Sequence, residues 1–189
     1  MGVEQPLLIL VSGLPGTGKT TLAKGIAVKF RIPSLGKDDI KEVIFDQLGI
    51  GDRSWSKKLS QASYAILFKV IESVIAAGCS MVIEGNFPAG MTKDAVRGMK
   101  DRTIFSTLEV NCVTDKDVLL HRYQERLKGD DRHPGHLDKE ITLELQDSLA
   151  LGDQGVVDLG GRVLTVDTTN LGEVDLDLVF EKIRSCQPM

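Results

Sequence analysis

Eight consecutive residues near the N-terminus have the types and spacing needed to bind phosphate. They run Gly13-Leu14-Pro15-Gly16-Thr17-Gly18-Lys19-Thr20 and match the pattern G-x-x-x-x-G-K-[ST] in full. Glycines allow such a loop to turn tightly and to bring backbone N–H groups onto phosphate oxygens. The motif therefore predicts a nucleoside triphosphate site rather than a turn that only joins a strand to a helix. The residues expected to contact the nucleotide are Gly13, Pro15, Gly16, Thr17, Gly18, Lys19, Thr20 and Thr21.

Two of these side chains have specific expected roles. Lys19 is expected to reach the β- and γ-phosphates, where its charge also assists transfer of the γ-phosphoryl group. The Thr20 hydroxyl is expected to bind Mg²⁺. Glu84 ends a third apolar segment, 80–84, and its carboxylate could hold a water molecule on the same ion. The alternative for Glu84 is a side chain that emerges into solvent as the strand ends.

A pair of carboxylates follows the second predicted strand. Asp38 and Asp39 come just after residues 31–35, and open α/β sheets bind ligands at the carboxyl ends of their strands. A carboxylate there can orient an acceptor hydroxyl and take its proton, which is the role expected for Asp38. Alternatively, Asp38 is an ordinary first-turn acid that complements the helix dipole, as expected for Asp39. Asn86 is expected to line the acceptor pocket.

Arginines supply the remaining candidate site residues. Arg122 and Arg126 are one helical turn apart and so share one helix face, which could contact the nucleotide or could simply be exposed. Residues 128–137 are polar and contain glycines, and we expect them to form a mobile lid whose Arg132 swings onto the transferring group. His133 and His136 lack a Cys or further His at zinc-ligand spacing, so they are expected to be lid or substrate contacts.

Alternating strands and helices must position these residues. Short apolar runs typical of strands buried on both faces occur at 6–11, 31–35, 80–84, 104–112 and 162–166. Helical patterns lie between and after them, at 18–30, 37–48, from Ser54 or Ser56 to 77, at 116–127, 138–150 and 174–185. This alternation predicts an α/β protein with a parallel sheet and helices on both faces. We expect one domain over residues 1–189.

Composition excludes several classes of protein. The chain has 189 residues, 42% of them hydrophobic, and a net charge of −4. An acidic chain with 5% aromatic residues lacks the clustered cations and stacking surfaces of a nucleic-acid binder. No uninterrupted apolar run has the length of a membrane span, and the three cysteines show no metal-binding spacing. We therefore expect a cytoplasmic protein, either a monomer or a homodimer, that does not act at a membrane.

Four segments together resemble the P-loop kinases with an AAA-type ATP-binding domain, and most closely the group that includes polynucleotide 5′-kinases and zeta-toxin-like kinases. These segments are 12–21, 37–41, 82–86 and 120–136. The resemblance implies a three-layer fold with a five-stranded parallel sheet in the order 2-3-1-4-5. It also implies ATP and Mg²⁺ as cofactors, Asp38 as the base, Arg126 and Arg132 as catalytic arginines, and Arg122 against the adenine. Lys41 matches the second basic position of the acceptor segment and is expected to meet substrate.

These observations predict an ATP-dependent kinase that transfers the γ-phosphoryl group to a hydroxyl of a small molecule. One alternative is a regulatory ATPase or switch without a phosphoacceptor, and another is a polynucleotide 5′-hydroxyl kinase. The charge pattern argues against the nucleic-acid acceptor, because a protein that grips a strand needs a basic groove. No motif identifies the acceptor itself.

Overall fold

A five-stranded parallel sheet forms the centre of the protein. The computed structural model describes residues 5–129, 132–137 and 155–185. The strands are β1 (Leu7–Gly13), β2 (Ser34–Gly36), β3 (Met81–Glu84), β4 (Ser106–Val113) and β5 (Arg162–Asp167). Their order in the sheet is β2-β3-β1-β4-β5, and every adjacent pair is parallel. The predicted strand order is confirmed.

Helices connect these strands. Within the described residues they are α1 (Lys19–Phe30), α2 (Lys37–Leu48), α3 (Arg53–Ala76), α4 (Ala89–Lys100), α5 (Lys116–Lys128) and α6 (Leu176–Arg184). Short 3₁₀ turns occur at Pro134–His136 and Leu171–Glu173. The helix predicted at 138–150 lies outside the described residues.

The apolar strands are buried on both faces of the sheet. In β1, Leu7, Ile9 and Val11 pack with α1 and α6, whereas Leu8 and Leu10 pack with α3 and α4. This alternation explains why β1 is apolar at consecutive positions, since each face of the strand meets a layer of helices. The result is the predicted three-layer α/β fold, with the carboxyl ends of β1, β2 and β3 at one edge.

Two helix assignments differ from the sequence analysis. No helix was predicted between residues 88 and 103, yet α4 occupies Ala89–Lys100. Its segment contains two glycines, and only Thr92, Val96 and Met99 are buried, so the apolar stripe is narrow. The long helix α3 begins at Arg53 and is capped by Asp52, whose carboxylate accepts a hydrogen bond from the N–H of Trp55.

Helix α3 is the one described helix that is long and apolar enough, by length and composition, to cross a membrane. Tyr64, Leu67, Ile71 and Ile75 on one side of it are buried against the sheet and α4. The core helix of a soluble protein can pass the same test of length and composition, and 33% of the apolar window of α3 is buried in the described structure.

Candidate active site

The phosphate-binding motif forms the turn between β1 and α1. Gly13, Gly16 and Gly18 have φ values of 133°, 91° and 81°, which residues other than glycine rarely adopt. A Cβ at Gly13 would also lie 2.4 Å from the carbonyl oxygen of Cys112. The hydroxyl of Thr17 donates to the carbonyl of Leu14 at 2.9 Å and tightens the turn. Glycine is thus required by the shape of this loop, as the sequence pattern predicts.

Lys19 is buried at the start of α1. Its ammonium group donates to the carbonyl oxygen of Leu14 at 2.8 Å, so the side chain folds over the loop. Burial lowers the pKa of Lys19 to about 8, although the nearby carboxylate of Glu84 favours the charged form. Burying a charged ammonium group costs free energy, and an anionic partner offsets that cost. A phosphate group would be such a partner for Lys19.

The two residues expected to hold Mg²⁺ lie together. The hydroxyl of Thr20 donates to Oε1 of Glu84 at 3.3 Å. Burial raises the pKa of Glu84, and the charge of Lys19 opposes that shift. Hydroxyl and carboxylate oxygens suit Mg²⁺, which usually takes one or two protein ligands together with substrate phosphates and water. Within the described part of the chain no three His, Cys, Asp or Glu residues cluster as a metal site.

Asp38 lies at the start of α2 between two cations. Its Oδ1 is 3.0 Å from Nζ of Lys37, and its Oδ2 is 3.0 Å from Nη2 of Arg132. Burial alone would raise the pKa of Asp38, but Lys37, His136 and Arg132 together hold it well below its usual range. Asp39 instead accepts the N–H of Gly36 at 2.8 Å, which confirms its expected role at the helix start.

A single cavity of about 400 Å³ connects the phosphate loop with Asp38. Most of the predicted site residues line it: Pro15, Gly16, Gly18, Lys19, Thr20, Thr21, Asp38, Glu84, Asn86, Arg126 and Arg132. Tyr123 and Glu42 also line it, and the sequence analysis missed both. Glu42 is four residues after Asp38 and therefore on the same face of α2, a spacing that could have identified it.

Lys41 lies outside the cavity wall. It is 2% exposed, its ammonium donates to Oγ of Ser56 at 2.8 Å, and it lies 5.0 Å from the ring centre of Phe45. Ser56 in turn donates to the carbonyl of Gly135 at 3.2 Å. In the structure Lys41 therefore supports the turn at residues 134–136, and its contact with substrate stays a prediction.

Arg122 is also absent from the cavity wall. Its guanidinium donates to the carbonyl oxygens of Thr168 and Thr169, each at 2.9 Å. These two residues directly follow β5, and Thr168 is held further by a hydroxyl–hydroxyl contact with Thr114 at 2.7 Å. Arg122 thus fixes the loop after β5, while direct contact with the nucleotide stays a prediction.

The described end of the predicted lid, residues 132–137, is docked on α2. The ring of His133 stacks on Phe45 with centres 5.1 Å apart, and its Nε2 lies 3.2 Å from Asp46. Nε2 of His136 lies 2.7 Å from Oε1 of Glu42. Burial lowers the pKa of His136 to about 3, so the imidazole is neutral near pH 7. These contacts dock residues 132–137 on α2, and Arg132 of this segment lines the cavity. The mobility expected of the lid stays a prediction.

A family profile described as an AAA domain matches residues 8–150. The chain belongs to this AAA-domain family. A solved structure of a candidate kinase from Chloroflexus aurantiacus J-10-fl is similar to this AAA domain with a TM-score of 0.91 and 34% identity. That alignment covers 98% of this chain and 100% of the other. The AAA domain therefore has the nucleotide-binding fold of the P-loop kinases, as the sequence resemblance implies.

More distant comparisons describe the fold alone or part of a longer protein. A sugar kinase from Janibacter sp. HTCC2649 shares the fold with a TM-score of 0.58 and 15% identity, covering 96% of this chain and 94% of that one. An uncharacterised protein of Mycobacterium tuberculosis is 27% identical over 165 residues, or 84% of this chain. The AAA domain spans 31% of the length of that curated relative.

Proposed function

We propose that this AAA domain is an ATP-dependent kinase that transfers the γ-phosphoryl group to a hydroxyl of a small-molecule acceptor, with Mg²⁺ as cofactor. The observation that carries the proposal is the cavity that joins Lys19 and Thr20 at one end with Asp38 and Arg132 at the other. A nucleotide-dependent switch needs only the phosphate-binding residues, Lys19 and Thr20. A kinase needs these and the acceptor-side residues, Asp38 and Arg132, within reach of the same phosphorus atom.

The phosphate-loop end of the cavity supplies the nucleotide site. Backbone N–H groups of the loop and the N-terminus of α1 would bind the phosphates, and Lys19 would add a positive charge. Thr20 and Glu84 would hold Mg²⁺, which neutralises charge on the phosphates when bound. Arg126 lines the same cavity and is suited to bind phosphate oxygens through its forked donors.

The opposite end supplies the acceptor site. The acceptor oxygen forms a bond to the γ-phosphorus while the bond from that phosphorus to the bridging oxygen breaks, and ADP leaves. The hydroxyl proton passes to Asp38 and then to solvent. In a loose transition state this proton moves late, so a carboxylate with a low pKa is a sufficient acceptor and mainly orients the hydroxyl. Asn86 lines the cavity, and its side-chain amide could hydrogen-bond to other groups of the acceptor molecule.

A small acceptor fits the charges around this site better than a nucleic acid strand. Lys37 and Lys41 are buried, and their ammonium groups are bonded to neighbouring side chains. They therefore do not form the exposed cationic track that a phosphate backbone requires. Asp39 and Glu42 add negative charge to the cavity wall. An enzyme acting on a small hydroxyl compound is the proposal that these features support.

The test is an assay of ATP consumption with purified protein and a panel of sugars, nucleosides and amino alcohols. A 5′-hydroxyl oligonucleotide belongs in the same panel. We expect ADP formation that depends on one class of small acceptor. ATP turnover that is the same with and without every acceptor would instead identify a regulatory ATPase. Turnover greatest with the oligonucleotide, and weakened by salt, would identify a polynucleotide kinase.

A further inference from the structure

A buried carboxylate lies in the middle of the central strand β4. Glu109 is 1% exposed, although it is a charged residue on the sheet face that otherwise packs against α3 and α4. Burying a carboxylate is costly unless its oxygens accept hydrogen bonds. Glu109 accepts three: Oε1 from the hydroxyl of Ser12 at 2.6 Å and the N–H of Val157 at 2.7 Å, and Oε2 from the N–H of Asp158 at 2.7 Å.

Two of these donors belong to residues 155–161, which we name the connector because they lead into β5. Val157 and Leu159 are buried in the core on this face of the sheet. The C-terminal end of the connector packs closely on β4, because a Cβ at Gly161 would lie 2.3 Å from the carbonyl oxygen of Thr107. The N-terminal end of the connector packs closely on the phosphate loop, because a Cβ at Gly155 would lie 2.8 Å from the carbonyl carbon of Gly13. The connector therefore runs beside β4, from the phosphate loop towards the N-terminal end of that strand. Glu109 binds its central residues, Val157 and Asp158.

The contact at the N-terminal end of the connector involves the first glycine of the phosphate loop. Gly155 has a φ of 72°, and its backbone packs directly on the backbone of Gly13. The third donor to Glu109, the hydroxyl of Ser12, belongs to the residue just before Gly13. One carboxylate thus holds both the strand end from which the phosphate loop begins and the segment against which the loop rests.

We propose that Glu109 is a positioning residue for the phosphate loop. It fixes Ser12 and the connector so that Gly13 is supported by Gly155, and thereby sets the position of the N–H groups that receive the nucleotide phosphates. This role rests on the proposed nucleotide site. It assigns to a residue outside the cavity wall an effect on phosphate affinity that acts through Ser12 and the connector.

The chemistry of the carboxylate is required for this role. Two oxygens satisfy three donors, and an amide in their place would present an N–H₂ group to at least one backbone N–H. Asp158 also has a φ of 57°, an uncommon conformation for a residue other than glycine, and its N–H is held by Glu109. Loss of the carboxylate is therefore expected to release the connector and to weaken the support under Gly13.

Two glycines of the connector allow a matched test. Gly155 and Gly160 both have a φ of 72°, so Gly155→Ala and Gly160→Ala each place a side chain at the same unfavourable φ. A Cβ at Gly160 meets no atom within 4 Å, whereas one at Gly155 meets Gly13. The comparison of the two variants therefore tests the contact with the phosphate loop.

The measurement is the Kd for ADP and ATP, by fluorescence titration or calorimetry, at a temperature where each variant is folded. We expect Glu109→Gln and Gly155→Ala to raise both Kd values about tenfold or more, as loss of hydrogen bonds to a charged group would do. Gly160→Ala should stay within about twofold of the wild type, the range of a surface change. The KM for the acceptor should be unchanged in all three.

A merely structural role would lower the melting temperature of Glu109→Gln and leave the Kd of the folded protein at the wild-type value, which would overturn the proposal. Equal Kd values for Gly155→Ala and Gly160→Ala would also overturn it. If Gly155→Ala fails to fold, Ser12→Ala tests the same support by removing one hydroxyl, and an unchanged Kd in that variant counts against the proposal. A wild-type protein that binds no nucleotide would contradict the proposed function itself.

Discussion

Nη2 of Arg132 lies 3.0 Å from Oδ2 of Asp38, so the arginine from the predicted lid and the proposed base form an ion pair across the cavity wall. The guanidinium belongs to the docked turn at residues 132–137, and its forked donors suit a phosphoryl oxygen as well as a carboxylate oxygen. Arg132 lines the same cavity as Lys19, so it is suited to stabilise charge on the transferring group.

Arg132→Ala should therefore lower kcat more than it weakens ATP binding. The expected loss in kcat is about 10²–10³-fold, the usual effect of removing one donor to developing charge. The Kd for ATP should change by only a few-fold. Arg97→Ala is the control, because that arginine is 76% exposed and pairs with Asp94 on α4. Equal effects of the two substitutions on kcat would show that Arg132 has no specific role in phosphoryl transfer.

Asp38→Asn separates chemistry from binding. Loss of the proton acceptor should lower kcat by about 10²–10⁴-fold, while ATP affinity stays near that of the wild type. Asp39→Asn is the comparison, since Asp39 accepts the N–H of Gly36 and should affect chiefly stability, by about 1 kcal/mol. If Asp39→Asn were the inactive variant and Asp38→Asn the active one, the base would be misassigned.

His136 should make the stability of the fold depend on pH. Its pKa is about 3 in the folded protein because of burial, against about 6.5 in an unfolded chain. Between these values the unfolded state binds a proton that the folded state does not. The stability is therefore greatest above about pH 6.5 and falls as the pH is lowered, by at most about 1.4 kcal/mol per pH unit.

The check is urea unfolding at about pH 7, 6 and 5 for the wild type, His136→Asn and His121→Asn. His136→Asn should flatten the dependence on pH, because the group that takes up the proton is gone. His121 lies exposed on α5, so its replacement should leave the slope as in the wild type. Parallel slopes for all three proteins would show that His136 titrates normally in the folded state.

Arg122→Lys should loosen the loop after β5. A lysine cannot donate to the carbonyls of Thr168 and Thr169 with the forked geometry of the guanidinium. We expect faster amide hydrogen exchange at residues 168–170 and a few-fold rise in the Kd for ATP. Arg97→Lys on the exposed surface of α4 is the control. Unchanged exchange at this loop would show that Arg122 does not hold it.

Local patterns predicted most of the elements that bear the site. The apolar runs of β1 and β3 and the phosphate-loop motif are local signals, and each strand placed its end residues at the same edge of the sheet. The first-turn role of Asp39 was also readable, because a helix start is recognised within a few residues. These features need no knowledge of distant contacts.

The missed features depend on contacts between distant parts of the chain. Helix α4 has weak intrinsic propensity and is stabilised by packing of Val96 and Met99 on the sheet. Glu109 interrupts an apolar strand, and its partners are Ser12, which is 97 residues away, and the connector. The turn at residues 132–137 is polar in sequence, yet the histidines fix it on α2. No local pattern encodes these partners.

The central claim is transfer of a phosphoryl group from ATP to a small hydroxyl compound. It is tested most directly by mass spectrometric detection of phosphorylated acceptor, with ADP measured in the same reaction, for the wild type and Lys19→Ala. The wild type should form ADP and phosphorylated acceptor in equal amounts, and Lys19→Ala should form neither, because the lysine neutralises the phosphates. ADP without any phosphorylated acceptor across the whole panel, or product formed equally well by Lys19→Ala, would contradict the account.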